Sequence, residues 1–321
     1  MKHFKGDLQQ MQSLPLGVKI KMTQMRIRQW YDAFDGNVYI SFSGGKDSTV
    51  LLHIARQIYP DIPAVFCDTG LEYPEIREFV KTFDNVTWLK PMMNFKQVIQ
   101  KYGYPVISKE VAQNIYIYIY IYIYEARRNP ASRAATKFDD TSAYNQKYKG
   151  QFSLSKWTFL KDSSIPVGNQ CCNVMKKTPF KKYEKETGAY GIVATMACES
   201  RTRKTDWMLH GCNAFDKERP LSQPISFWTE QDVLQYIKEY AVKFCSVYGE
   251  IKEDKKGRLY TSGCKRTGCI FCMFGCHREK APNRFQQLKE THPAIYHYCM
   301  KPMSEGGLGL DEVLTFIGVD H

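Results

Sequence analysis

Apolar residues return at helical spacing across residues 17–34, at Ile20, Met22, Met25, Ile27, Trp30 and Tyr31, which predicts an opening amphipathic helix. Val38-Tyr39-Ile40 is a short continuous apolar run that reads as a buried strand. The turn-rich SGGKDS follows it, then an amphipathic helix over residues 49–59. Ala64-Val65-Phe66-Cys67 predicts a second strand, with the turn Asp68-Thr69-Gly70 and a helix opening near Pro74 behind it. Val86-Thr87-Trp88-Leu89 predicts a third strand, and a further helix runs from about Asn94 to Tyr102. Short strands alternating with helices at this spacing predict a doubly wound, Rossmann-like α/β sheet with parallel strands and helices on both faces.

The pattern breaks between about Gln113 and Gly168, where a low-complexity run meets polar and basic stretches such as EARRNPASRAATK. Residues 115–124 are five Ile-Tyr pairs. Period-two alternation describes a strand with isoleucines on one face and tyrosines on the other. The flanks EVAQN and EARRN are helix formers, so the tract could equally extend a helix, and its conformation stays open. Because ATA-TAT encodes Ile-Tyr, a slipped AT repeat in the gene would write the same tract; expansion is the expected origin. Order resumes with a helix near residues 176–186, a strand at 191–195 and a helix beginning near Arg201. Pro224-Ile225-Ser226-Phe227-Trp228-Thr229 leads into a helix with Thr229 as N-cap and Asp232 three positions on. The last 60 residues carry a cysteine cluster and two short helices. The expected division is a helical segment at 1–34, a nucleotide-binding domain at 35–245 with an insertion at about 113–168, and a cysteine-rich region at 246–321 packing on that domain.

Composition narrows the setting. The 321 residues are 43% hydrophobic and 24% charged, as in a soluble globular protein. No apolar run approaches the roughly 18 residues a membrane helix needs, and MKHFKGDLQQ lacks a secretory core, so a cytoplasmic location without membrane contact is expected. Net charge is +12, from 45 Lys and Arg against 33 Asp and Glu, which suits polyanionic ligands: nucleotides, and nucleic acid as a further partner. Eleven cysteines without a secretory signal point to metal ligation rather than a disulfide framework.

The loop SFSGGKDS, Ser41 to Ser48, stands between a predicted strand and a predicted helix, where a phosphate cradle belongs. Gly44 and Gly45 let successive N–H groups face one anion, and the helix adds its positive N-terminal end. Lys46 supplies a compact cation, and Ser43 and Ser48 supply hydroxyls. Asp47 would repel bare phosphate and fits a Mg²⁺ or water contact, or a negative charge at the helix N-terminus. The G-x-x-x-x-G-K-[ST] spacing is absent, so this is no Walker A motif. It resembles the PP-loop of the ATP pyrophosphatase superfamily, whose members cleave ATP between the α and β phosphates.

Further segments resemble the phosphoadenosine phosphosulfate (PAPS) reductase family. Asp68-Thr69-Gly70-Leu71-Glu72-Tyr73-Pro74-Glu75 resembles the family's segment after the second strand, near the nucleotide. Cys198-Glu199-Ser200-Arg201-Thr202-Arg203 fits its E-S-x-x-R element, which meets the anionic part of the substrate, and arginines opening a helix oppose its dipole and so favour an anion there. Pro224-Ile225 with Trp228-Thr229-Glu230 and Asp232-Val233 is similar to the family's P-[LI]-x-x-W-T-x-x-D-V. The resemblance covers roughly residues 35–110 and 170–280. It implies nucleotide contacts at Ser41, Ser43, Gly44, Gly45, Lys46, Asp47, Ser48, Asp68, Thr69, Gly70, Glu72, Glu199, Ser200 and Arg203. Lys46, Asp47 and Arg203 are the expected catalytic groups.

Cys171-Cys172 followed far downstream by Cys269-Ile270-Phe271-Cys272 resembles the pairing that ligates a [4Fe–4S] cluster in the iron–sulfur branch of this family. Lys176 and Lys177 follow in a run similar to the family's C-C-x-x-x-K-x-x-P, placed to screen the cluster's charge or bind substrate. Two alternatives stay open. Cys264, Cys269 and Cys272 have the C-x₄-C-x₂-C spacing of a plant-type ferredoxin loop, and with Cys276 or His277 the same stretch could hold a structural zinc. Cys67, Cys198, Cys212, Cys245 and Cys299 are expected to be small buried hydrophobes.

PAPS and adenylyl-sulfate (APS) reductases carry a nucleophilic cysteine in a C-terminal sequence like E-C-G-[LI]-H. This tail reads Ser304-Glu305-Gly306-Gly307-Leu308-Gly309, with Cys299 and Cys276 as the remaining nearby thiols. The intact phosphate loop and the missing cysteine together favour ATP pyrophosphatase chemistry: Mg-ATP bound, a substrate oxygen adenylated, pyrophosphate released and sulfur transferred. That combination resembles tRNA thiolation enzymes and DNA phosphorothioation proteins, which implies tRNA or DNA as acceptor and a cysteine desulfurase or other sulfur donor. The competing readings are a PAPS or APS reductase that releases sulfite and a non-catalytic nucleotide-binding cluster module.

Overall fold

A computed structural model of the chain describes residues 3–124 and 136–321. The chain forms two compact units, neither of them a continuous stretch: Met1–Asp68, Glu72–Lys90 and Pro179–Gly268 make one, and Thr69–Leu71, Pro91–Thr178 and Cys269–His321 the other.

The first unit is built on a six-stranded sheet. Its strands are β1 (Val38–Ser41), β2 (Ala64–Cys67), β3 (Val86–Leu89), β4 (Tyr190–Val193), β5 (Asn213–Ala214) and β6 (Leu221–Ser222), in the spatial order β3-β2-β1-β4-β6-β5. All neighbours run parallel except β5 against β6. A hairpin of β7 (Ile251–Glu253) and β8 (Leu259–Thr261) stands apart. The apolar runs are continuous rather than alternating because helices cover both faces of a parallel sheet; Val38, Ile40, Ala64 and Val65 are all buried. Helix Lys46–Ile58 lays Val50, Leu51, Ile54 and Ala55, all fully buried, into the main core with Ile27, Trp30 and Trp228.

Strand order fixes where a ligand can sit. β1 has β2 on one side and β4 on the other, with Ser41 opposite Val65 and Val193. Successive connections therefore leave β1 and β4 in opposite directions, and a crevice opens at their carboxyl ends. The glycine loop leaves β1 there, and the Cys198–Arg203 segment follows β4.

The opening helices, Lys5–Ser13 and Leu16–Ala33, are locked to this unit by a buried ion pair. Lys19 Nζ lies 2.7 and 2.8 Å from the two carboxylate oxygens of Asp232 and donates to Gln12 O at 2.7 Å. Asp232 also accepts from the N–H of Thr229 at 2.7 Å, which completes the capping box at the start of helix Glu230–Glu239.

In the second unit the Ile-Tyr tract is helical, part of Lys109–Tyr124. The helix-forming flank EVAQN, residues 110–114, lies in the same helix and decides the conformation. In a helix, alternate residues spread around the axis instead of dividing between two faces, so Ile115 is buried while Tyr116, Ile117, Tyr118 and Ile119 are half-buried. Of the basic stretch EARRNPASRAATK, residues 125–135 lie outside the described residues. Three α-helices rather than two follow the cysteines: Arg284–Thr291, Pro293–Met300 and Leu310–Phe316. Among the described residues no helix is long and apolar enough to cross a membrane.

Replacing Lys19 by Met leaves Asp232 buried without its cation. Urea denaturation of Lys19→Met should show a loss of about 3 kcal/mol; a loss below about 1 kcal/mol would mean the pair behaves as a surface pair.

Candidate functional site

The phosphate loop is shaped by two glycines with different constraints. Gly44 has φ +69°, and a Cβ there would lie 2.8 Å from both Ile76 Cγ2 and Val80 Cγ2, so neither its backbone nor its surroundings admit a side chain. Gly45 brings the chain against Tyr248, whose hydroxyl would stand 3.1 Å from an added Cβ. The loop amides are held by hydroxyls: Ser43 N–H donates to Ser48 Oγ at 3.2 Å, Gly45 N–H to Ser43 Oγ at 3.3 Å, and Lys46 N–H to the Tyr248 hydroxyl at 3.2 Å. Tyr248 is paired in turn with Thr267 Oγ1 at 2.7 Å, and burial pushes its phenol up to about 12.

Lys46 is 2% exposed. Its ammonium lies 3.3 Å from Asp47 Oδ1 and 3.4 Å from Glu230 Oε1, donates to Lys265 O at 3.4 Å, and stands 5.7 Å from the centre of the Tyr248 ring. Asp47 Oδ1 is shut off from solvent and receives no directed hydrogen bond. Burial raises the Asp47 carboxyl above the usual range, against the pull of Lys46.

The segment after β4 completes the constellation. Glu199 accepts from Met196 N–H at 2.8 Å, pairs with Arg203 and lies 3.8 Å from Arg266. Ser200 Oγ accepts from Arg203 N–H at 3.2 Å and so caps helix Arg201–His210. Arg203 feels both Arg266 and Asp47 electrostatically, which places the two predicted segments at one site. Three cations (Lys46, Arg203, Arg266) therefore face three carboxylates (Asp47, Glu199, Glu230). A triphosphate entering this balanced set would bring several negative charges and call for a compensating cation. Two hard carboxylates beside the loop, Asp47 and Glu230, are a donor set that fits Mg²⁺.

Other expected contacts fall differently. Asp68 is buried and paired with Arg77 at 2.8 Å. Thr69 and Gly70 belong to the second unit, where Thr69 Oγ1 accepts from Leu71 N–H at 3.2 Å. Glu72 is half-buried in the first unit. Cys198 corrects the sequence expectation: it is exposed, within electrostatic range of Arg266, Asp47 and Glu230, whereas Cys67, Cys212, Cys245 and Cys299 are buried as expected. Tyr248, Thr267 and Arg266 were missed. Arg266 and Thr267 sit in the run CKRTGC, whose basic character was a usable signal; nothing in sequence marks Tyr248.

The four thiols implied by the family resemblance converge within the second unit. Cys171 interacts with Cys172, Cys269 and Cys272, and Cys272 interacts with Cys172. Burial raises the Cys171 and Cys272 thiols, and Lys176 opposes that shift at both. The C-x-x-C segment is a tight turn, Cys272 N–H donating to Cys269 O at 3.1 Å, and it is tied to Leu71 by Ile270 N–H to Leu71 O at 2.8 Å. Arg284, fixed by Glu279, donates to Cys272 O at 2.8 Å. Cys264 lies in the first unit beside Cys245, Glu75 and Tyr73. Among the described residues no three His, Cys, Asp or Glu side chains surround a single metal position. Four thiolates that each bind a different iron of a [4Fe–4S] cube stand farther apart than ligands of one ion, so this set, with Lys176 and Arg284 beside it, fits a cluster chemically.

The phosphoadenosine phosphosulfate reductase domain matches residues 37–116 and 118–274. The chain belongs to this family. An uncharacterized protein of Methanocaldococcus jannaschii is 24% identical over 301 residues, covering 90% of this chain and 53% of that protein. The phosphoadenosine 5′-phosphosulfate reductase of Photorhabdus laumondii is 35% identical over 75 residues, 22% of this chain and 31% of that enzyme. The chain thus spans about half the length, or less, of these relatives. Among solved structures it is similar to the PAPS reductase of Candida auris, at 13% identity and TM-score 0.39, covering 74% of this chain and 89% of that one. It is also similar to a U34-tRNA thiolase of Methanococcus maripaludis with its [4Fe-4S] cluster, at 14% identity and TM-score 0.35, covering 71% and 66%. The family match embraces the phosphate loop, Glu199 to Arg203 and all four candidate cluster cysteines.

Ligation by these four thiols predicts a broad visible absorbance after anaerobic purification. Cys171→Ala and Cys269→Ala should abolish it, and Cys264→Ala should retain it. Elemental analysis showing zinc without iron would contradict this ligand set.

Proposed function

We propose that the chain binds Mg-ATP, cleaves it at the α-phosphorus with release of pyrophosphate, and so activates a substrate for sulfur transfer, with nucleic acid as the acceptor. The observation that carries this reading is the buried Lys46 ammonium at the carboxyl end of β1, set among Asp47, Glu230, Arg203 and Arg266.

Lys46 and the loop amides would hold the β and γ phosphates, and the hydroxyls of Ser43, Ser48 and Tyr248 can turn to donate to phosphate oxygens. Asp47 and Glu230 would hold Mg²⁺, which supplies charge neutralisation on the departing pyrophosphate. Arg203, exposed enough to turn from Glu199, would meet the negative charge that grows on the α-phosphoryl group. A substrate oxygen attacks the α-phosphorus, the bond to the β-phosphate oxygen breaks, and pyrophosphate leaves with that electron pair. Sulfide-level sulfur from the donor then attacks the acceptor atom that bears the adenylated oxygen, the bond from that atom to oxygen breaks, and AMP leaves with the oxygen and the electron pair. Cys171, Cys172, Cys269 and Cys272 would hold a [4Fe–4S] cluster, which supplies a site for binding sulfur.

The reductase reading needs a nucleophilic thiol, and the tail is built against one. Gly306 has φ +94°, where a cysteine would be strained, and a Cβ on Gly307 would collide with Lys301 O. Cys299 is fully buried with its thiol pushed up by burial, and Cys276 donates to Met273 O at 3.0 Å with its thiol raised to about 11.

Incubation with Mg-ATP, with and without nucleic acid, should yield AMP and pyrophosphate, and Lys46→Ala should lower kcat/KM by about 10²–10³-fold. No pyrophosphate under any condition would sink the proposal; sulfite released from PAPS or APS with a thiol donor would establish the reductase instead.

A further inference from the structure

The insertion carries a surface that the nucleotide site and the thiols do not use. Residues 136–161 hold six aromatic side chains, with five lysines against two aspartates. Burial would be the ordinary fate of so many rings, yet Tyr148, Phe152 and Phe159 are 39%, 39% and 41% exposed. The rings form two connected runs. Tyr144, Tyr148 and Phe152 follow one another at centroid distances of 5.0 and 5.5 Å, and Trp157, Phe159 and Phe316 at 6.1 and 5.4 Å. Lysines lie on the ring faces: Lys147 over Tyr148 at 5.7 Å, Lys156 over Trp157 at 4.9 Å, and Lys161 over Tyr118 at 4.4 Å. Both aspartates are exposed and hydrogen-bonded locally, Asp139 accepting from Thr141 and Asp140 from Ser153, and five lysines against two aspartates leave this stretch with net positive charge. Next to Trp157, at 5.1 Å, the His277 ring has two buried nitrogens without a hydrogen-bond partner.

A partner for this face must present flat apolar rings and dense negative charge together. Unpaired nucleic acid does so: bases stack on aromatic side chains while phosphates meet the lysines. A base in a DNA duplex must first be unstacked at a cost of a few kcal/mol, whereas RNA loops already display theirs. We propose that the aromatic and lysine surface of residues 136–161 binds unpaired RNA, and so brings an RNA acceptor to this protein. This rests on the sulfur-transfer reading but is tested separately from it.

The probes are 5′-labelled single-stranded RNA, single-stranded DNA of the same sequence and the RNA duplex, followed by fluorescence anisotropy across a salt series with the full chain. Single-stranded RNA should bind most tightly. Phe152→Ala and Phe159→Ala should each weaken it about ten-fold. Lys147→Gln with Lys156→Gln should flatten the logarithmic salt dependence by roughly 0.7 per lysine. Mg-ATP binding without RNA, followed by calorimetry, should be the same in all variants and the wild type, so failure of RNA binding is not confused with failure of the ATP site. The inference is overturned if wild type ignores RNA, if the variants bind it equally well, or if single-stranded DNA or the duplex binds more tightly. It is equally overturned if the exposed rings instead mediate self-association, seen as dimers lost in Phe152→Ala.

Discussion

A lysine ammonium buried beside a glycine turn is the constraint around which the first unit is arranged. Taking that charge out of water costs several kcal/mol unless the protein supplies opposite charge. Asp47 supplies it from the same loop and Glu230 from the start of another helix, while the ring of Tyr248 offers its face. Each partner is itself fixed. Glu230 opens a helix capped by Thr229 and Asp232, and Asp232 is anchored by Lys19 of the opening helices. The charge on Lys46 is thus connected through carboxylates and a helix cap to the N-terminal segment, and local disorder anywhere along that route would loosen the phosphate loop.

The same arrangement explains why the site is poised for a highly charged ligand. Carboxylates and cations balance, so no single sign is left uncompensated in a low-dielectric crevice. A nucleotide that brought both phosphates and a divalent cation would preserve this balance, its phosphates meeting the cations and its metal the carboxylates. Cys198 is an exposed residue beside these charges, and partial desolvation of its sulfur raises its thiol against the pull of Arg266.

Much of this was legible in the sequence because it depends on local chemistry. The strand, glycine turn and helix around Ser41–Ser48 need particular φ values and a particular apolar run, and both are written in consecutive residues. The Thr229–Asp232 cap is likewise a three-residue rule. The thiols of Cys171, Cys172, Cys269 and Cys272, nearly a hundred residues apart, were paired only through family resemblance; spacing alone left Cys264 an equal candidate, which the fold places with Cys245 in the other unit. Tyr248 and Arg266 escaped because their role comes from a long return of the chain, which no periodicity records. Cys198 looked like a core residue by type, yet it stands on the turn after β4 where the crevice opens. The Ile-Tyr tract carried a strand's period directly after the helical run EVAQN, and neighbouring propensity decided it.

The most direct test of the account is the affinity of the folded protein for Mg-ATP, AMP and PAPS, measured side by side by calorimetry for wild type and Lys46→Ala. A loop built to hold a triphosphate predicts that Mg-ATP binds far more tightly than AMP, more tightly than PAPS, and loses that advantage in Lys46→Ala. PAPS binding more tightly than Mg-ATP, or ATP affinity indifferent to Lys46, would contradict it.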